Sequence, residues 1–158
     1  MNRVLEGMLV LELTAIVQGP SVGATLADLG AEVIKMENMD GGDPLRHSAS
    51  MRGTPVMGPD GVSLAFTWQN RNKKSIAINL KAPDAFDVMS RILRKSDIFI
   101  TNFRPTAVAK LGLSYERVAE INPRIIYAEL TGFGSRGPYK DVRAMASSGL
   151  AVSGILTA

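Results

Sequence analysis

The chain has 158 residues, of which 46% are hydrophobic and 21% charged, with a formal net charge of +3. That length permits one domain with a real core. The absence of cysteine excludes disulfides, thiolate zinc sites and cysteine nucleophiles, and a single histidine, His47, excludes a multi-histidine metal site, so no metal is expected.

In chain order, Met8–Leu11 is a short apolar run suited to a strand buried on both faces. Gly19-Pro20 breaks it, and the fixed φ of Pro20 suits the first position of a helix. Val22, Leu26 and Leu29 share one face of that helix, Gly30 follows as its cap, and AEVIKME (31–37) is a second strand. Such a βαβ unit binds its ligand at the carboxyl end of the first strand, so Thr14 to Pro20 is the first place to look for a site. Eight Gly and Pro residues over 38–63 leave room only for an extended loop. Leu64–Trp68 reads as a helical turn and IAINL (76–80) as a strand. Residues 83–95 form a helix with Phe86, Met89, Ile92 and Leu93 on one face. A strand at 97–100, helices at 106–111 and 115–121 with Ser114 as N-cap, and a strand at 124–130 complete the pattern. Strands alternating with helices predict an α/β chain with a mainly parallel sheet.

GFGSRG (132–137) matches G-x-G-x-x-G after a strand. However, Pro138 follows directly and no acidic residue lies about 20 positions on, which favours a flexible glycine loop over a dinucleotide fingerprint. Arg71, Lys73 and Lys74 precede a strand and Lys81 follows it. They read either as a solvated face or as a phosphate grip. Asn102-Phe103-Arg104 leaves a strand at the ligand edge, where Phe103 either stacks a base or enters the core. His47 reads as a surface residue, and no serine–histidine–acid triad is assignable from spacing. No apolar run is long enough to cross a membrane and MNRVLEG lacks a signal-like core, so a cytoplasmic protein without membrane or nucleic-acid partners is expected.

The segments LEGMLVLELT, LADLGAEVIKME, NRNKKSIAINLK and SDIFITNFRP, followed by LGLSYERVAEINPRIIYAELTGFGSRGPY, together resemble the N-terminal part of the class III CoA-transferase (CaiB/BaiF) family, of the formyl-CoA transferase type. The resemblance implies a Rossmann-like, mainly parallel sheet with flanking helices, incomplete relative to the family's interlocked two-domain fold. Residues 1–158 would be a CoA-binding portion, with the small second domain absent. It implies coenzyme A or acyl-CoA as substrate and a small carboxylic acid as acceptor. It also implies a homodimer, or pairing with a full-length or C-terminal relative. The exposed character of the apolar tail from Ala144 points to assembly as well.

Positions matching the family's CoA contacts are Val17, Gln18, Ile78, Asn79, Leu80, Lys81, Asn102, Phe103, Arg104 and Lys110, with Lys140 a looser match. Asn38 stands where many members have Arg, and Gln18 where a small residue is common. In the family an Asp shortly after GPY attacks the thioester, and Gly132 and Gly134 belong to the glycine loop beside it. Here GPYKDVR runs straight into AMASSGL, so the stretch holding the nucleophile is missing, and Asp141 matches a different, earlier Asp of the pattern. The expectation is a transferase-family chain that binds CoA and is inactive alone. An α-methylacyl-CoA racemase and a non-catalytic CoA-ester binding module are the alternatives, and an NAD-linked oxidoreductase is disfavoured by the fingerprint argument.

Overall fold

The computed structural model describes residues 3–51 and 53–155. The elements are β1 (Leu9–Leu13), α1 (Gln18–Asp28), β2 (Glu32–Asn38), a 3-10 turn (Pro44–His47), β3 (Ser50–Met51), β4 (Thr54–Pro55) and α2 (Leu64–Gln69). They continue as β5 (Lys74–Ile78), α3 (Ala85–Leu93), β6 (Ile98–Thr101), α4 (Pro105–Lys110), α5 (Tyr115–Ile121), β7 (Ile126–Glu129) and α6 (Ala146–Val152). Five strands form one sheet in the order β5-β2-β1-β6-β7, every pairing parallel, and β3 and β4 form a separate antiparallel pair. After β5 the chain crosses from one side of β1 to the other. The crevice above β1 and β6 is therefore the topological switch point at which α/β sheets hold ligands.

β1 is central and covered on both faces, as its apolar run requires. Val10 packs with Ala27, Ala31, Val33 and Ile100 on one face. Leu11 and Leu13 pack with Met36, Met89, Leu93, Phe99, Val108 and Val118 on the other. Helix α1 thus covers the first face and α3, α4 and α5 the second. The expected Phe86-Met89-Ile92-Leu93 stripe of α3 does face the second cluster. Ser114 caps α5 by accepting from the Arg117 N–H at 3.5 Å.

Two expectations change. Several elements are shifted or shortened at their ends, although α5 keeps its expected bounds: α1 begins at Gln18 rather than Pro20, β5 runs 74–78 rather than 76–80, and α3 stops at Leu93. Cap and ladder geometry decides ends, and periodicity does not see it. The packing face of α1 is broader than Val22-Leu26-Leu29: Val22 and Leu26 do pack, partly buried, against the Val10 cluster, but the buried residues are Gly19, Pro20, Gly23, Ala24 and Ala27, and Leu29 is exposed. Small residues let α1 lie close against β1. A Cβ on Gly23 would come within 1.8 Å of Glu12 Oε2, and one on Gly19 within 2.4 Å of Thr14.

The tail is less enclosed. Helix α6 has no buried residue, and Met145, Val152 and Ile155 are each more than 60% exposed. No helix among the described residues is long and apolar enough to cross a membrane.

The close approach of α1 predicts opposite effects for two glycines. Gly23→Ala must push into a buried ion pair and should destabilise the fold by about 3 kcal/mol in urea unfolding. Gly149→Ala on α6, where a Cβ meets nothing within 4 Å, should be neutral or stabilising by up to ~1 kcal/mol.

Candidate functional site

The turn after β1 is held from below by charge. Glu12, the one acidic residue in β1, has its side chain fully buried, and Lys35 of β2 is 1% exposed. The Lys35 ammonium lies 3.3 Å from Glu12 Oε1 and 3.0 Å from Asp43 Oδ2, and it donates to the Thr14 carbonyl at 2.8 Å. Lys73, entering β5, lies 2.8 Å from Glu12 Oε2 and donates to the Pro20 carbonyl at 2.8 Å. Two ammonium groups thus balance two carboxylates, each of the four side chains at most 2% exposed. Burial pushes the Lys73 ammonium below the usual lysine range, against the pull of Glu12.

A second pair sits beside the first. Arg46 clasps the Glu37 carboxylate with Nε and a terminal nitrogen at 2.7 and 2.6 Å, while Ser75 Oγ and the Asp43 N–H donate to it as well. Burial alone would raise the Glu37 pKa, but the donors from Arg46, Ser75 and Asp43 outweigh it and hold the carboxyl at about 2. On the far side of the sheet, burial and then the Glu116 charge push the Glu129 carboxyl up.

The turn itself is clamped from both sides. Asn102, after β6, accepts from the Ala15 N–H at 2.9 Å and donates to the Ala15 carbonyl at 2.8 Å. The Asp43 carboxylate accepts from the Ile16 N–H at 3.2 and 3.3 Å. Between these clamps Ile16 has a φ of 71°. A β-branched residue is a true outlier in that left-handed region, at a cost of about 1–3 kcal/mol.

Two clefts open along the carboxyl edge of the sheet on either side of Phe103. The first, of about 810 Å³, is bounded by the ends of β1, β2 and β5 and by α3 and α4; Asn38, Asn79, Leu80, Lys81 and Lys110 line it. The second, of about 670 Å³, is the switch-point crevice between the β1 turn and α6, lined by Val17, Gln18, Asn102, Arg104, Gly132 and Lys140. Both volumes suit a small-molecule site. Lys81, Lys110, Arg104 and Lys140, the cations lining the clefts, pair with no carboxylate among the described residues.

Ten of the eleven positions expected to contact a ligand therefore line a cleft. Ile78 does not: its side chain is buried in the core. Phe103 packs partly against the core, one of its two readings, and also lines both clefts. The amide of Asn102 is spent on Ala15, so its side chain supports the turn.

The basic cluster divides. Lys73 is neither a solvated residue nor an open phosphate grip, because the buried Glu12 claims it. Arg71 pairs with Asp28 and Lys74 with Glu32 at the surface. His47 is exposed, its Nε2 3.0 Å from the Gly41 carbonyl. Gly132 to Gly137 is followed by loop up to α6, so GFGSRG opens no helix and is no dinucleotide fingerprint. A Cβ on Gly132 would meet that of Ala144 at 1.9 Å, while Gly134 stands in open space at a φ of +80°. Asp141 is exposed and lines neither cleft, although its neighbours Lys140 and Val142 line the second.

Asp43, Lys35 and Glu12 were missed by the motif reading. For Glu12 and Lys35 a signal was present all the same, since each places a charge inside a strand, LVLEL and EVIKMEN; Asp43, in the loop after β2, carried none.

With this geometry in place, the relatives are informative. A family model described as CoA-transferase family III matches residues 5–158. The chain belongs to the CoA-transferase family III. It is 43% identical over 141 residues to a succinate–glutarate CoA-transferase of Agrobacterium fabrum, covering 87% of this chain and 34% of that protein. It is 41% identical over 144 residues to a formyl-CoA:oxalate CoA-transferase of Streptomyces avermitilis, covering 91% and 33%. A CaiB/BaiF family protein from Brucella suis superposes with a TM-score of 0.86 at 36% identity, covering 98% of this chain and 40% of that one. The chain spans about a third of the length of the curated relatives it matches.

The Glu37 geometry predicts a pH dependence. A carboxyl held at about 2 in the folded state, against 4.5 in its ordinary state, stabilises the fold fully above pH 4.5 and loses that effect as pH falls toward 2. Its contribution, on the order of 2 kcal/mol, should appear as a fall in urea-unfolding free energy between pH 5 and pH 3. Glu37→Gln should flatten that fall.

Proposed function

We propose that this family III chain binds a CoA thioester along the carboxyl edge of its sheet, on the CoA-transferase pathway between an acyl-CoA and a carboxylic acid. The observation that carries this reading is the set of four unpaired cations, Lys81, Lys110, Arg104 and Lys140, around two clefts that are otherwise mainly apolar. CoA has matching chemistry: phosphates for the cations, an adenine for Phe103 to stack, and an extended chain able to pass from one cleft to the other. The names of the relatives, each of them a CoA-transferase acting on a carboxylic acid, support the same class.

The reaction of the class needs a carboxylate nucleophile. It attacks the thioester carbonyl, giving a mixed anhydride and CoA thiolate. The thiolate then attacks the enzyme's own carbonyl, releasing the first acid and leaving an enzyme–CoA thioester for the acceptor carboxylate to resolve. A misplacement of about 1 Å at such a step costs on the order of a hundredfold. Asp141 stands outside both clefts, and the family segment expected after it is absent from GPYKDVRAMASSGL. That favours a chain that holds CoA esters without performing the transfer by itself.

Calorimetric titration tests the binding. CoA should bind more tightly than NAD, and Lys81→Ala or Lys110→Ala should each weaken CoA about five- to tenfold, as loss of a charge-assisted contact does. Equal or tighter NAD binding overturns the reading.

Catalysis is tested separately with an acyl-CoA and hydroxylamine. The expected outcome by mass spectrometry is no hydroxamate on any aspartate. A hydroxamate on Asp141, lost in Asp141→Asn, would show a working nucleophile.

A further inference from the structure

The β1–α1 turn is not simply a glycine turn. It carries a β-branched residue, Ile16, in the left-handed region at a φ of 71°. Such a conformation persists only where its surroundings over-determine it. The surroundings here are specific. Asp43 comes from the loop after β2, distant in sequence from Ile16, and its carboxylate accepts the Ile16 N–H with both oxygens at 3.2 and 3.3 Å. The same carboxylate is anchored in turn by Lys35 at 3.0 Å and by the Leu45 N–H at 2.9 Å. Its side chain is fully buried, so water does not compete for these bonds.

The location gives the clamp its consequence. Asp43 borders the first cleft, and the turn it holds presents Ile16, Val17 and Gln18 to the second. Val17 and Gln18 are exposed and make no hydrogen bond through their side chains among the described residues. Their direction is set by the backbone at Ile16. A relaxed Ile16 would return toward negative φ and swing the next two residues away from the crevice.

We propose that Asp43 is a positioning residue, locking Ile16 in its left-handed conformation so that Val17 and Gln18 are presented to the ligand in the switch-point crevice. This rests on the CoA-ester reading for the identity of the ligand, and not for the lock itself. Lys35 acts through Asp43, holding the carboxylate at the turn. The loop after β2 thereby connects the two clefts: whatever displaces Asp43 on one side unlocks the turn on the other.

Substitutions at Asp43 and Ile16 test it. Amide hydrogen exchange on the ligand-free protein reads the lock: Asp43→Ala should lower protection of the Ile16 N–H about tenfold relative to Leu11 in β1. Asp43→Asn, which keeps one acceptor, should restore part of that protection. Ile16→Gly removes the strain without touching the buried charges, so its thermal midpoint should equal or exceed that of the natural chain. With the Asp43 bond still in place, its affinity for CoA by calorimetry should stay within about twofold of that of the natural chain. Asp43→Ala should lower that affinity about fivefold, and adding Ile16→Gly to it should restore part of the loss, because glycine adopts the left-handed conformation without the clamp. A merely structural role for Asp43 gives no such rescue. Unchanged Ile16 protection in Asp43→Ala, or no recovery of CoA affinity in the double variant, overturns the proposal. Failure of the natural chain to bind CoA overturns the ligand reading instead, and exchange at Ile16 still decides the lock.

Discussion

Four buried charges, Glu12, Lys35, Lys73 and Asp43, tie together parts of the chain that apolar packing alone would leave adjustable. Lys35 joins β2 to β1 and to the loop after β2; Lys73 joins β5 to β1 and to the first turn of α1. Ion pairs of this kind gain little over well-packed apolar groups, but removing one partner leaves an uncompensated buried charge, typically at about 3–5 kcal/mol. Their value here is geometric. They fix the height of the β1–α1 turn above the sheet, and they require Gly23, since a methyl group there would strike Glu12.

From that constraint the site follows. Parallel pairing puts all five carboxyl ends on one edge, and the reversal of strand order around β1 opens the crevice there. Asn102 and Asp43 then grip the turn from opposite sides, one through Ala15 and one through Ile16. The cations used for structure are paired, as Lys35, Lys73 and Arg46 are. The cations at the cleft rims, Lys81, Lys110, Arg104 and Lys140, pair with no carboxylate among the described residues. The division separates charges that hold the fold from charges available to an anionic ligand. Membership of the CoA-transferase family III accounts for the fold.

Much of this was legible in the residues. Apolar strands, the helical stripe of α3, the Ser114 cap and the parallel class follow from periodicity and local chemistry. Lys73 shows where that legibility stops. Beside Arg71 and Lys74 it looks like part of a solvated basic run, yet its ammonium lies under α1 against Glu12, sixty-one positions earlier. The face of α1 is only partly legible for a related reason: Val22 and Leu26 do pack, but the residues buried against the sheet are smaller. Leucines and valines mark a helix face by hydropathy, whereas close contact with a sheet selects glycine and alanine, which periodicity scores as weak.

By itself the sequence determined the order and type of the main elements, the α/β class, and the absence of cysteine and multi-histidine chemistry, because these depend on residue type and short spacings. Its motifs carried the family resemblance for the same reason. Only the tertiary structure decided that Asp43 reaches Ile16, that Asn102 serves the turn, that Ile78 is core, and that Asp141 lies outside the crevice. Each of these is a contact, or a missing contact, between segments far apart in the chain. Such relations are set by how the strands and their connecting loops pack in space, where buried charges must find partners and strained backbone must be held by its neighbours.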